Sequence, residues 1–196
     1  MEFAAGTWLN PPPAHRIDAG SLHVTTGEKT DFWQGTLYGF HRDDGHFLAF
    51  DAPETFDAVL SFESPFDTLY DQAGIMLRQG PEVWVKTGIE YSDGVLNFST
   101  VVTNGVSDWS VQPVPGETGP FTIRLIRKPD TIIVHRLSPD GWCLMRLAPF
   151  PNGPAQVGPM ACSPERSGLE VTFSGFTLGP APEEALHLEE GLCGFI

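Results

Sequence analysis

Basic residues are scarce in this chain. Lys and Arg number 11 against 25 Asp and Glu, for a net charge of −14. A phosphate backbone is held by clustered Lys and Arg, so the balance argues against nucleic acid as a partner. An acidic surface is also repelled by anionic lipid. A neutral ligand meets no such barrier. No run approaches the ~20 apolar residues of a membrane helix. The opening "MEFAAGTWLNPPPAH" has no basic segment followed by an apolar one, so no secretory signal is read. Cysteine is sparse: Cys143, Cys162 and Cys193 are odd in number, widely spaced and never C-x-x-C. The expectation is free thiols in a reducing, cytoplasmic compartment. A G-x-S-x-G elbow, a P-loop and a G-x-G-x-x-G are all missing. "HRDDGH" (His41 to His46) holds His and Asp, but Asp-Gly is turn chemistry and the two His can point to opposite faces. No metal and no cofactor is expected.

Turns are plentiful. Gly (21) and Pro (18) punctuate the chain, and "RDDGH", "RQGPE", "SDG", "TNGVSD", "RKPD" and "SPDG" separate apolar or alternating runs. Such spacing predicts an all-β sandwich or barrel. The chain reads as one domain, 1–196, with an N-terminal extension over 1–20 and a C-terminal tail over 180–196. Predicted strands are 21–26, a 38–42/46–50 hairpin, 59–63, a meander of 70–77, 83–91 and 95–103, a second meander of 121–127, 131–137 and 142–147, and 169–178. "PEEALHLEE" (182–190) predicts the one short helix, opened by Pro182.

The first meander can be registered. An Asp93-Gly94 turn sets Ser92 against Val95, Ile89 against Phe98 and Val85 against Val102. A turn at Gln79-Gly80 sets Leu77 near Val83 and Ile75 near Val85. Ile75, Leu77, Val83, Val85, Ile89, Phe98 and Val102 then share a core face, which a one-residue slip would expose. The opposite face carries Tyr70, Gln72, Met76, Trp84, Lys86, Glu90, Asn97 and Ser99, with gaps at Gly74 and Gly88.

Six ordered segments carry a resemblance: "TGEKTDFWQGTLYGFHRDDGH", "YDQAGIMLR", "VWVKTGIEYSDG", "TNGVSDWS", "FTIRLIRKPDTIIVHRLSPDG" and "GPMACSPERSGLEVTFSGF". Over about residues 7–179 the chain resembles the DUF1349 family, which includes the regulation of enolase protein. The resemblance implies a concanavalin A-like lectin/glucanase fold, a jelly-roll sandwich of two antiparallel sheets. It also implies a cytoplasmic protein linked to sugar metabolism. In this fold class ligands lie across the concave outer face of a sheet.

That analogy coincides with the face chosen by alternation. The expected function is lectin-like binding of a carbohydrate or sugar-derived ligand, with Trp84 stacking on a pyranose and Gln72, Asn97, Lys86 and Glu90 bonding hydroxyls. Tyr70, Trp33, His46, Asp108 and Trp109 are further candidate contacts from strand ends and loops. A glycoside hydrolase or lyase is an alternative, with Glu90 and Lys86 as candidate catalytic groups. Hydrolysis needs two carboxylates flanking a bond, and the E-x-D-x-E run of retaining glucanases of this fold does not occur here. A regulatory protein docking a metabolic enzyme is the other alternative. The residues leave open whether the protein is catalytic.

Overall fold

The computed structural model describes residues 1–114 and 116–186. Among these residues sixteen strands form, in chain order. The first eight are β1 (Thr7–Leu9), β2 (Ala14–Asp18), β3 (Ser21–Thr25), β4 (Phe32–Gln34), β5 (His41–Asp43), β6 (His46–Ala52), β7 (Phe56–Glu63) and β8 (Gln72–Gly80). The rest are β9 (Val83–Ser92), β10 (Val95–Asn104), β11 (Val106–Pro113), β12 (Phe121–Lys128), β13 (Thr131–Ser138), β14 (Gly141–Pro149), β15 (Ala155–Cys162) and β16 (Glu170–Gly179).

Two seven-stranded antiparallel sheets stack as a jelly-roll sandwich. One runs β1-β6-β15-β8-β9-β10-β11, the other β14-β13-β12-β7-β16-β3-β2. The core fills the space between them. β7 supplies Phe56, Ala58, Leu60 and Phe62 from its inward face, opposite Ile75, Leu77, Val85, Ile89 and Phe98 of the first sheet. Each large side chain of this kind contributes about 1.5–3 kcal/mol by leaving water. No helix long and apolar enough to cross a membrane occurs among the described residues.

The β9–β10 hairpin has the expected register: Ser92 faces Val95, Ile89 faces Phe98 and Val85 faces Val102. Asp93 (φ 55°) and Gly94 (φ 79°) both adopt the left-handed conformation that a two-residue hairpin turn demands. The β8–β9 pairing differs by two residues. Leu77 faces Val85 and Ile75 faces Thr87, because the turn falls at Pro81-Glu82, with Gly80 facing Val83, and a bulge between Arg78 and Gly80 takes back one residue. A shift of two keeps every side chain on its face.

Other expectations are corrected. The 38–42/46–50 hairpin does not form. β5 pairs with β4 in a separate two-stranded sheet, while β6 pairs with β1 and β15. Residues 182–186 form no helix. Lys128 Nζ donates to the Pro182 and Glu183 carbonyls, which a first helical turn would need. Ala185 packs instead on Ile126 and Ile133 of the second sheet. Residues 187–190 of the expected helix, and Cys193, lie outside the described residues. Cys162 is a free, buried thiol, but Cys143 is disulfide-bonded, against the expectation of three free thiols.

Gly74 and Gly88 do not hold space open for a ligand. They face each other across β8 and β9. A Cβ on Gly88 would stand 2.0 Å from the Ala73 carbonyl oxygen, and one on Gly74 would stand 2.0 Å from that of Thr87. Their bareness lets the two strands approach.

Candidate functional site

The outer face of the first sheet is not bare. The short β4–β5 hairpin lies over it and makes a second small core. Phe32 and Trp84 meet there with ring centroids 6.1 Å apart, among Phe47, Met76, Val101, Met160 and Cys162. Gly45 permits this docking, because a Cβ there would stand 2.3 Å from the Phe32 ring. Polar clamps reinforce it. Arg78 grips Asp43 of β5 through two bonds of 2.7 and 2.8 Å. Lys86 Nζ donates to Asp31 Oδ1 at 2.7 Å, just ahead of β4.

Between this hairpin and the sheet lies a cavity of about 320 Å³. Its floor is Gln72 of β8, Lys86 and Glu90 of β9, Val101 of β10 and Trp109 of β11. Asp31, Trp33, Tyr38, Phe40 and Arg42 wall it from the hairpin, Tyr70 from the loop before β8, and Pro164 and Glu165 from the loop after β15. The last two loops are tied together: Arg166 holds the fully buried Asp71 through Nε at 3.0 Å and a second, shorter bond from its NH2 group. Tyr70 sits at φ 64°, its N–H donating to the Tyr91 carbonyl at 2.7 Å.

The expected contact residues divide. Trp33, Tyr70, Gln72, Lys86, Glu90 and Trp109 line the cavity. Trp84 does not, and at 0% exposure it is unavailable for stacking. The alternation is as expected, but the face it points from is covered by Phe32. Asn97 is buried and braces the β9–β10 turn, donating to the Ser92 carbonyl and hydroxyl, each at 3.1 Å. His46 is buried between the Asn10 carbonyl at 2.7 Å and the Gly27 N–H at 2.8 Å. Nε2 must accept from Gly27, so Nδ1 carries the proton and donates to Asn10. Burial lowers its pKa, against the pull of that carbonyl, and keeps the ring neutral. Asp108 alternates away from Trp109 and pairs with Arg146 at 2.7 Å. Sequence reasoning missed Tyr38, Phe40, Arg42 and Glu165 as lining residues. The run "LYGF" (37–40) was the available signal, an aromatic cluster beside turn-forming Gly35 and Gly39.

Glu90 is the distinctive group of the floor. It is 4% exposed. Ser99 Oγ donates to its Oε2 at 3.0 Å, and Trp109 Nε1 donates to that same Ser99 oxygen at 3.1 Å. Burial pushes its carboxyl up to about 7, while Lys86 and the Ser99 bond pull the other way. Lys86 is equally buried. Loss of water is the largest single effect and favours its neutral form, but the Asp31 charge, the Glu90 charge and the Asp31 hydrogen bond act together against it, and its pKa is raised.

A family model described as "Protein of unknown function (DUF1349)" matches residues 8–181. Regulation of enolase protein 1 of Saccharomyces cerevisiae is 46% identical over 188 residues, covering 95% of each chain. A crystal structure of a functionally unknown protein from Saccharomyces cerevisiae superposes with a TM-score of 0.89 at 45% identity, covering 94% of this chain and 100% of that one. The K247S mutant of the GH43 protein BlXynB from Bacillus licheniformis shares the fold at a TM-score of 0.70 and 15% identity, over 91% of this chain and 38% of that one. By the extent of these matches, the chain belongs to the DUF1349 family.

Proposed function

We propose that the protein binds a carbohydrate or sugar-derived ligand in the cavity between the β4–β5 hairpin and the first sheet, in a cytoplasmic role tied to carbohydrate metabolism. The observation that carries this reading is the lining itself. Trp33, Tyr38, Phe40, Tyr70 and Trp109 surround a floor whose polar groups are Gln72, Lys86 and Glu90. Aromatic faces stack on the C–H faces of a sugar ring, and convergent polar groups fix its hydroxyls. The stacking role assigned by sequence to Trp84 falls to Trp109 and Trp33. The name of the 46% identical relative supports the metabolic link.

The test is a thermal-shift screen against mono- and oligosaccharides. A ligand at 100 times its dissociation constant stabilises by ~2.7 kcal/mol. Trp109→Ala should abolish the shift, and a screen without any sugar-dependent shift rejects the reading. If the site is also catalytic, Glu90 serves as acid or base, and Glu90→Gln binds without turning over.

A second reading, docking on a metabolic enzyme, is favoured by one feature. Exposed apolar side chains accompany the lining: Tyr38 and Phe40 line the cavity and are exposed, and next to lining residues in the chain Leu37 is 85% exposed and Leu69 is exposed. Titration of purified enolase into the protein tests it. Binding that is lost in Leu37→Asp supports docking at this rim, and no heat of binding ends it.

A further inference from the structure

The cavity has an imbalance of hydrogen-bonding groups. Its indole, amide and guanidinium groups each have partners inside the protein, and Lys86 Nζ has Asp31. Trp33 Nε1 donates to the Thr36 carbonyl at 3.0 Å and Trp109 Nε1 to Ser99 Oγ at 3.1 Å. The Gln72 amide nitrogen is held by the Tyr70 carbonyl at 3.2 Å and Asp31 at 3.5 Å. The Arg42 guanidinium donates to Asp44 at 2.8 Å and to the Lys29 carbonyl. Two of its acceptors are left over. Glu90 Oε1 and the Gln72 amide oxygen have no hydrogen-bond partner among the described residues, and Glu90 is almost wholly buried.

The charges follow the same pattern. Asp31, Glu90 and Glu165 line the cavity, with Lys86 and Arg42 as its cations. Both cations already face aspartates, Lys86 on Asp31 at 2.7 Å and Arg42 on Asp44 at 2.8 Å. Glu90 and Glu165 form no ion pair among the described residues. The walls add the negative faces of Trp33, Tyr38, Phe40, Tyr70 and Trp109, which attract cations within about 6 Å. The net charge of −14 adds a long-range field of the same sign.

We propose that the cavity takes an amino sugar, with the ligand's protonated amine seated against Glu90 and the aromatic walls. An ammonium brings three donors and one positive charge to a site whose open groups are acceptors and carboxylates. A phosphorylated sugar brings the opposite and is disfavoured. The proposal rests on the sugar-binding reading and narrows its ligand class.

Isothermal titration calorimetry separates the two. Glucosamine, galactosamine and mannosamine, their parent hexoses, N-acetyl forms and 6-phosphates are titrated at about pH 7.5 and low salt. The hexosamine that fits should bind at least about tenfold tighter than its parent hexose, and N-acetylation should erase the gain. Glu90→Gln should lose that preference while still binding the parent sugar. Glu165→Gln, at an exposed position, should reduce it if the Glu90 variant fails to fold. Equal binding of hexose and hexosamine, or tighter binding of the 6-phosphate, overturns the amino-sugar proposal and leaves the sugar reading standing. Binding by none of the panel at millimolar concentration overturns both.

Discussion

Lys86 Nζ lies 2.7 Å from Asp31 Oδ1, and side-chain exposures of 4% and 13% place the pair out of water. The bond spans the sheet and the hairpin that covers it. Removing one partner strands the other's charge. Asp31→Asn or Lys86→Met should each cost about 3–5 kcal/mol. The double variant should cost less than the two singles together. Urea denaturation of the four proteins measures this, and purely additive losses would show that the pair is not coupled.

Glu90 should make stability depend on pH. Its folded value of about 7 lies above the ordinary 4.5, so the folded protein holds the proton more tightly than the unfolded chain. The stabilising contribution is full below 4.5, declines as pH rises through the folded value, and is flat above it. The span corresponds to about 3 kcal/mol. The wild-type profile minus that of Glu90→Gln isolates this decline among the other titrating groups. Parallel profiles across the window would mean that Glu90 titrates normally.

Trp84→Ala should destabilise by about 3–5 kcal/mol, since it empties the centre of the second core under Phe32. Trp109→Ala should cost far less stability, because Trp109 is 38% exposed at the cavity. Thermal melts of the two variants decide the matter. Equal losses would contradict the division between a structural and a lining tryptophan.

Gly88→Ala should destabilise by more than about 2 kcal/mol, because its Cβ meets backbone rather than a movable side chain. Gly80→Ala, with nothing within 4 Å, is the control. A Gly88→Ala melt matching that control would refute the close approach of β8 and β9.

What the sequence disclosed follows from what periodicity encodes. Alternation along Val83–Ser92, anchored by the Asp93-Gly94 turn, names the face of Lys86 and Glu90 without any structure. Alternation says nothing of what lies above that face. The covering hairpin is made of β4 and β5, three residues each, too short to show a period, and their pairing is not the one Asp43-Asp44-Gly45 suggests. Alternation therefore presents Trp84 as an open stacking platform, although it is a core residue of a layer that no local pattern announces. His46 and Asn97 illustrate the same limit. Their partners, Asn10, Gly27 and Ser92, are set by tertiary approach or by a turn, and a polar side chain on an outward face looks identical whether it meets solvent or a carbonyl. Trp33 and Trp109 are expected contacts from strand ends and loops and both line the cavity, but nothing in the chain fixes their distance from Glu90.

The aromatic wall comes from Trp33 and the segment joining β4 to β5, fastened by Thr36 Oγ1 to the Ser107 carbonyl at 2.6 Å and by Gly35 N–H to the Phe40 carbonyl at 3.0 Å. None of Leu37, Tyr38 and Phe40 belongs to the core between the sheets. One wall of the cavity and the main core are thus written in separate stretches of the gene. Changes in codons 38 and 40 can reshape that wall without touching the core between the sheets, whereas a change at Glu90 alters the cavity floor within a strand of the sandwich itself.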